Sequence, residues 1–123
     1  MNQSDIFEKV ETLNQEGEVL FQDGDIEKAK NLFLKAVDMD PEDCRTLNNL
    51  GVLHWLSGDV QSALENLTKA YELNPYHRQV VRNLLEILTK LNQSEEAELI
   101  HKTYMERYPE DDEIDNLLNV MPD

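Results

Sequence analysis

Small residues and prolines recur along this sequence at intervals of 34 residues, and this period constrains the fold more than any other feature. The residues related by it are Gly17 and Gly51, Gly24 and Gly58, Ala29 and Ala63, Ala36 and Ala70, and Pro41, Pro75 and Pro109. Such a period is typical of stacked helical units, each of which buries its apolar face only against its neighbours. The sequence therefore predicts three repeats, with frames at 10–43, 44–77 and 78–111.

Turn-forming and capping residues divide each frame into two helices, A and B. The residues just before helix B suit the left-handed conformation that often ends a helix, and they are Gly24, Gly58 and Asn92. Helix B is predicted to open on a capping side chain, which is Asp25, Asp59 or Ser94. The prolines after helix B fit the first turn of the next helix, with Asp40 and Asn74 as caps. Ser4 is predicted to cap an extension of the first helix that carries Phe7.

The frames share a motif of apolar and small residues. It is fullest in the second frame, with Leu47, Leu50, Gly51, His54, Ala63, Leu67, Ala70 and Pro75. This pattern resembles the tetratricopeptide repeat (TPR), a helix–turn–helix unit of 34 residues. The resemblance implies an all-α fold, a right-handed superhelical stack of about three TPR units. Because the third frame has bulky Leu85 and Tyr104 in place of glycine and alanine, we expect a wider helix crossing there.

The end of the chain also has a helical pattern. Apolar residues at helical spacing predict an amphipathic helix over 112–121, and they are Ile114, Leu117, Leu118 and Met121. Two interpretations stay open: a capping helix, or the first helix of a truncated fourth repeat. We expect residues 1–123 to form a single TPR domain.

The chain is strongly acidic, with 26 acidic and 11 basic residues and a net charge of −15. This charge argues against nucleic acid or an anionic membrane as a partner. The acidity is greatest in residues 1–43, where 12 acidic and 4 basic residues give −8. That segment predicts either a solvated surface or attraction of a basic client. Since no signal peptide or membrane-spanning run is evident, we expect a cytoplasmic protein without membrane insertion.

Residues that could carry catalysis are scattered. His54, His77 and His101 have no zinc-like spacing to cysteines or carboxylates, and the one cysteine, Cys44, has no histidine near it in sequence. The aspartates between 38 and 43 lack the glycine and glutamate that a calcium loop needs at its sixth and twelfth positions. The sequence predicts neither an enzyme nor a cofactor.

The TPR resemblance implies a binding surface, because in that family the A helices line a concave groove. The implied site residues are Gln15, Glu18, Phe21, Asn48, Asn49, Val52, Trp55, Arg82, Asn83 and Glu86. Gln15, Asn49 and Asn83 would form a ladder of carboxamides able to pair with a peptide backbone. Trp55, exposed beside Phe21 and Val52, would form an apolar anchor.

The resulting hypothesis is a module that binds a protein or peptide segment in this groove. Alternatives are a self-assembling scaffold, which would be a homo-oligomer, and the accessory interaction domain of a larger enzyme. The asparagines are expected to be replaceable by alanine without loss of stability, because exposed substitutions usually have small effects.

Overall fold

Seven helices account for the regular structure of residues 1–119, the part of the chain that the computed structural model describes. One compact unit, Met1–Leu73, contains α1 (Gln3–Gln22), α2 (Ile26–Met39), α3 (Cys44–Leu56) and α4 (Val60–Leu73). A second unit, which starts at Asn74, contains α5 (Arg78–Lys90), α6 (Ser94–Arg107) and α7 (Asp112–Asn119). The all-α helix–turn–helix prediction is confirmed. Helices α3, α5 and α7 begin at residues 44, 78 and 112, which are 34 residues apart in both intervals.

In the first unit, the glycines of α1 and α3 allow the paired helix to come close. A Cβ atom added to Gly51 would lie 2.6 Å from Cγ of Leu67 and 3.3 Å from the carbonyl oxygen of Ala63. A Cβ atom on Gly17 would overlap the ring of Phe33 in the same way. Helices α2 and α4 therefore pack almost directly on the backbones of α1 and α3.

The third helix pair packs differently. Leu85 and Tyr104 are both buried where the first two repeats have glycine and alanine. The backbones of α5 and α6 approach each other less closely than those of α1 and α2 or of α3 and α4. This agrees with the wider crossing that the sequence predicts, because the two bulky side chains fill the space between the helices.

The turns between paired helices are as the sequence predicts, whereas only some of the predicted helix caps are present. Gly24 (φ 87°), Gly58 (φ 84°) and Asn92 (φ 59°) all have left-handed backbones, as predicted. The side chain of Asp59 accepts a hydrogen bond from the Ser62 amide at 3.1 Å, which confirms that cap. Asp25 precedes α2 without a side-chain cap bond, and Ser94 is the first residue of α6.

The predicted caps of the A helices are wrong by two or three residues. Asp43 caps α3 and His77 caps α5. Asp40 accepts instead from the Glu42 amide, and Asn74 accepts from the Tyr76 amide. In both cases the Asx side chain closes a turn across the following proline, so the proline begins a turn and not a helix. At the start of α1 the cap is Asn2 rather than Ser4, in a capping box with Asp5.

In the second unit, Asp111 connects three elements. Its carboxylate accepts two hydrogen bonds from the guanidinium of Arg78, at 2.9 and 3.1 Å, and one from the hydroxyl of Tyr104 at 2.6 Å. The Asp111 carboxylate also accepts a hydrogen bond from the backbone amide of Ile114, a buried residue of α7. These bonds fix the N-terminus of α7 against α5 and α6. Met121, predicted to belong to this helix, lies outside the described residues.

The Asp111 contacts predict an acid-sensitive step in the stability of this unit. The hydrogen bonds from Arg78, with smaller contributions from Tyr104, lower the pKa of Asp111 from 3.8 to about 2. Because the pKa is lower in the folded chain than in the unfolded chain, the carboxylate stabilises the fold above about pH 4. That contribution is lost as the pH falls toward about 2.

We therefore expect Asp111→Asn to be less stable than the parent at pH 7, and this difference to shrink steadily as the pH falls from about 4 to about 2. Urea unfolding followed by circular dichroism measures this difference. Glu110→Gln removes one neighbouring exposed charge and is the matched control. If the two variants show the same dependence on pH, the Asp111 contacts do not stabilise the unit.

Candidate functional site

One face of α3 presents a partly exposed apolar surface in the first unit. Val52, Trp55 and Leu56 lie at spacings of three and four residues, which places them on adjoining parts of one helix face. Val52 and Trp55 are half-buried, whereas Leu56 is 63% exposed. We call these three residues the α3 surface. Trp55 is thus neither enclosed in the core nor fully exposed, and it presents part of its ring to solvent.

A polar group from α1 and α3 lies next to the α3 surface. The guanidinium of Arg45 donates two hydrogen bonds to the carboxylate of Glu18, at 2.7 and 2.6 Å. The Asn49 amide also donates to Glu18, at 2.9 Å. Burial acts to raise the pKa of Glu18, but the hydrogen bonds from Arg45 and Asn49 and the attraction of the guanidinium outweigh it, so the pKa is lowered. Glu18 is therefore an anion held in place by two neighbours of the same unit.

Asn49 has a second partner within the chain, since its amide also donates to Oδ1 of Asn14 at 3.1 Å. Asn14 is fully buried, and its own amide donates to the Val10 carbonyl at 3.1 Å and to the Thr46 hydroxyl at 2.8 Å. These bonds join α1 to α3. The expectation that Asn49 can be replaced without loss of stability is corrected accordingly: the side chain forms part of an interhelical contact.

Two further site residues of the first unit differ from their predicted setting. Asn48 is only 7% exposed, so it does not present its amide on an open surface as predicted. Asn48 precedes Val52 by four residues and Trp55 by seven, so it lies on the same face of α3 as these two residues, at the buried end of that face. Gln15 is exposed, and it lines a shallow apolar depression formed with Val19 and Leu32. Phe21 is half-buried and packs against a core cluster that includes Phe33.

The site residues of the second unit lie on α5. Arg82, Asn83 and Glu86 are each half-buried. The guanidinium Nε of Arg82 lies 3.6 Å from the carboxylate of Glu86 and 3.2 Å from that of Glu113 on α7. The charge of Arg82 is therefore partly neutralised by two carboxylates of the same unit.

Groups suited to catalysis or metal binding do not converge in the described chain. Burial, followed by the charge of Asp43, raises the pKa of the Cys44 thiol, which donates to the Ala70 carbonyl at 3.4 Å. A thiol in this setting is a poor nucleophile, because the thiolate is the reactive form. Within residues 1–119, no three histidine, cysteine or carboxylate side chains are grouped to hold a metal ion. No helix in that range is long and apolar enough to cross a membrane.

Models of known protein families match the sequence over these helix pairs. A family model for the tetratricopeptide repeat matches residues 9–75, more than half of the chain, and a second one matches residues 54–120. The chain belongs to the tetratricopeptide repeat family. A TPR is generally a protein–protein interaction module.

Among solved structures, PilF of Pseudomonas aeruginosa shares the fold, with a TM-score of 0.85 and 24% sequence identity. The match covers 95% of this TPR chain and 54% of the PilF chain, so the chain spans about half the length of that structure. A comparison with curated proteins gave no match. At this level of identity, the likeness to PilF describes the fold alone.

Glu18 and Asn49 were predicted as site residues, and the TPR positions explain why the pairing of Glu18 with Arg45 was not predicted. Glu18 and Arg45 are 27 residues apart and occupy different positions in successive repeats, so a comparison of equivalent positions does not pair them. Their opposite charges on neighbouring A helices were the available signal. Asn14 gave no comparable signal, because an asparagine in an otherwise polar stretch of α1 resembles a solvent-exposed residue.

Proposed function

We propose that this TPR chain binds a peptide segment of a partner protein, and that the first unit contacts the client through the α3 surface. The observation that supports this most directly is the exposure of Leu56 beside the partly exposed Trp55. Apolar and aromatic side chains of this kind act as anchors in protein interfaces. A non-catalytic role is part of the same proposal.

The polar side chains of Glu18, Arg45 and Asn49 would orient the bound client. Arg45 and Glu18 hold each other rigidly through two hydrogen bonds, so their remaining lone pairs and N–H groups are fixed in space. Such groups can orient a peptide backbone without first losing side-chain freedom. Asn49 contributes to this rigidity, and its carboxamide is an interhelical contact as well as a candidate client contact.

Trp55 supplies the test, since it is the one tryptophan of the chain and its fluorescence reports directly on the α3 surface. Peptides are first selected on the full chain from a display library of random sequences. We expect selected peptides to shift the Trp55 emission to shorter wavelength as they cover the ring. Leu56→Ala should weaken their binding about tenfold or more, because truncation of an anchor typically costs at least about 1.4 kcal/mol.

Leu34→Ala is the matched control, because Leu34 is also an exposed leucine but lies on α2. It should change the dissociation constant by less than about twofold, as expected for a surface residue outside the contact. Selected peptides that bind Leu56→Ala and Trp55→Ala as tightly as the parent would contradict the proposal. If no peptide is selected and the sedimenting mass rises with protein concentration, self-assembly replaces peptide binding as the function.

A further inference from the structure

A second pocket in the first unit lies apart from the α3 surface, at the start of α3. It has a volume of about 190 Å³, and its wall on the α1 side consists of Phe7, Val10 and Glu11. Asp40 and Asp43, from the turn between α2 and α3, form the opposite side. The pocket thus combines an aromatic and aliphatic wall with three carboxylates, and Phe7 is largely exposed at its edge.

The carboxylates of this pocket outnumber the basic groups near them in the described chain. Arg45 also lines the pocket and attracts the carboxylates of Glu11 and Asp43, but its guanidinium donates its two hydrogen bonds to Glu18. Among residues 1–119, no basic nitrogen forms an ion pair within 4.0 Å with Glu11, Asp40 or Asp43. The pocket therefore keeps a net negative charge next to an apolar wall.

The hydrogen bonds at the base of the pocket hold these carboxylates in place. One oxygen of Asp43, Oδ2, accepts from the Thr46 amide at 3.0 Å, the Thr46 hydroxyl at 2.7 Å and the Asn14 amide at 3.3 Å. Oδ1 of Asp40 accepts from the Glu42 amide at 3.1 Å. In both residues the bonds that fix the carboxylate use one oxygen, so the geometry is set before any ligand arrives.

We propose that this pocket receives an arginine side chain of the client, which rests on the peptide binding proposed above. The guanidinium would pair with Asp40 and Asp43, and its methylene stem would lie along Phe7 and Val10. Arginine fits better than lysine, because the guanidinium is planar, weakly hydrated and able to stack on an aromatic ring. The pocket thereby gives the acidity of the first 43 residues a specific use beyond solubility.

The test uses N-acetyl-arginine-N-methylamide as the probe and amide NMR spectra of the full chain at about 0.15 M salt. At this ionic strength charges act over about 8 Å, so distant carboxylates contribute little. We expect saturable shifts at the amides of residues 7–11, 40 and 42–45, with the Trp55 emission unchanged. The corresponding glutamate derivative should give no saturable shift.

Variants separate the pocket from general acidity. Asp40→Asn should weaken binding of the probe about three- to fivefold, as expected for the loss of one partly exposed ion pair. It keeps an oxygen that can accept from the Glu42 amide, so the turn is retained. Phe7→Ser should weaken arginine binding as well. Glu8→Gln, an exposed change on α1 outside the pocket, should have an effect smaller than about 1.5-fold.

Equal effects of Asp40→Asn and Glu8→Gln would overturn the arginine site, as would shifts spread over all acidic surfaces. If Ca²⁺ or Mg²⁺ shifts these amide signals more strongly than the arginine probe does, the pocket is instead a site for a metal cation. The peptide-binding function is judged separately, by Trp55 emission with the selected peptides. Peptides that still need Leu56 but bind Asp40→Asn normally would leave that function intact and remove only the arginine site.

Discussion

Gly51→Leu is expected to unfold the first unit or to lower its free energy of unfolding by about 3 kcal/mol or more. Overpacking of a dense core typically costs about 1–3 kcal/mol, and occasionally more. Here the added side chain meets Leu67 and the carbonyl oxygen of Ala63, and the backbone atom cannot move without displacing α4. Urea unfolding followed by Trp55 fluorescence measures the effect in the unit that contains the change.

Two companion variants show whether steric overlap causes this loss. By helix propensity alone, Gly51→Ala would stabilise α3 by about 1 kcal/mol. Because its Cβ would lie 2.6 Å from Cγ of Leu67, we expect a net loss of stability instead. Combining Gly51→Ala with Leu67→Ala should cost less than the sum of the two single changes. If Gly51→Leu melts like the parent, the repeat frame and the packing of α3 on α4 are both wrong.

Asn14→Ala is the second change with a large expected effect, about 2–4 kcal/mol of stability. The side chain is fully buried, and its removal leaves a small cavity as well as polar partners without their bonds. The groups affected are the Val10 carbonyl, the Thr46 hydroxyl, the Asp43 carboxylate and the Asn49 amide. Chemical unfolding of the purified variant gives the magnitude.

Gln15→Ala is the control for this change, because Gln15 is the next residue on α1 and is exposed. It should stay within about 0.5 kcal/mol of the parent. Asn14→Leu helps to interpret the result, since it restores volume but not the hydrogen bonds. Similar unfolding energies for Asn14→Ala and Gln15→Ala would mean that the hydrogen bonds of Asn14 contribute nothing to stability.

The helices and their turns were predictable from the sequence because their signals are local and repeated. Gly24, Gly58 and Asn92 each end a helix with a left-handed backbone, and every repeat provides one such residue. The starts of α3 and α5 at Cys44 and Arg78 coincide with the frame boundaries, because the 34-residue period fixes them together. The caps beside Pro41 and Pro75 were misassigned, because an Asx residue before proline can close a turn as well as cap a helix.

The candidate site was less predictable, because it depends on pairings between helices. Asn48 and Asn49 have the same predicted role, yet only Asn49 is partly exposed. Arg45 and Glu18 form an ion pair that neither residue signals alone. The pocket at Phe7 combines the start of α1 with a turn more than thirty residues later, and no spacing rule connects them.

The pairing of each helix with its neighbour in sequence also bears on how fast the chain folds. Helices α1 and α2 join through a turn of three residues, and so do α3 and α4. Their contacts form between segments close in sequence, so little loop entropy is lost before packing begins. Chains with such local topology fold within microseconds to milliseconds. A defect confined to one helix pair should therefore accelerate local opening there, as read by amide hydrogen exchange, and leave the early collapse of the other pairs unaffected.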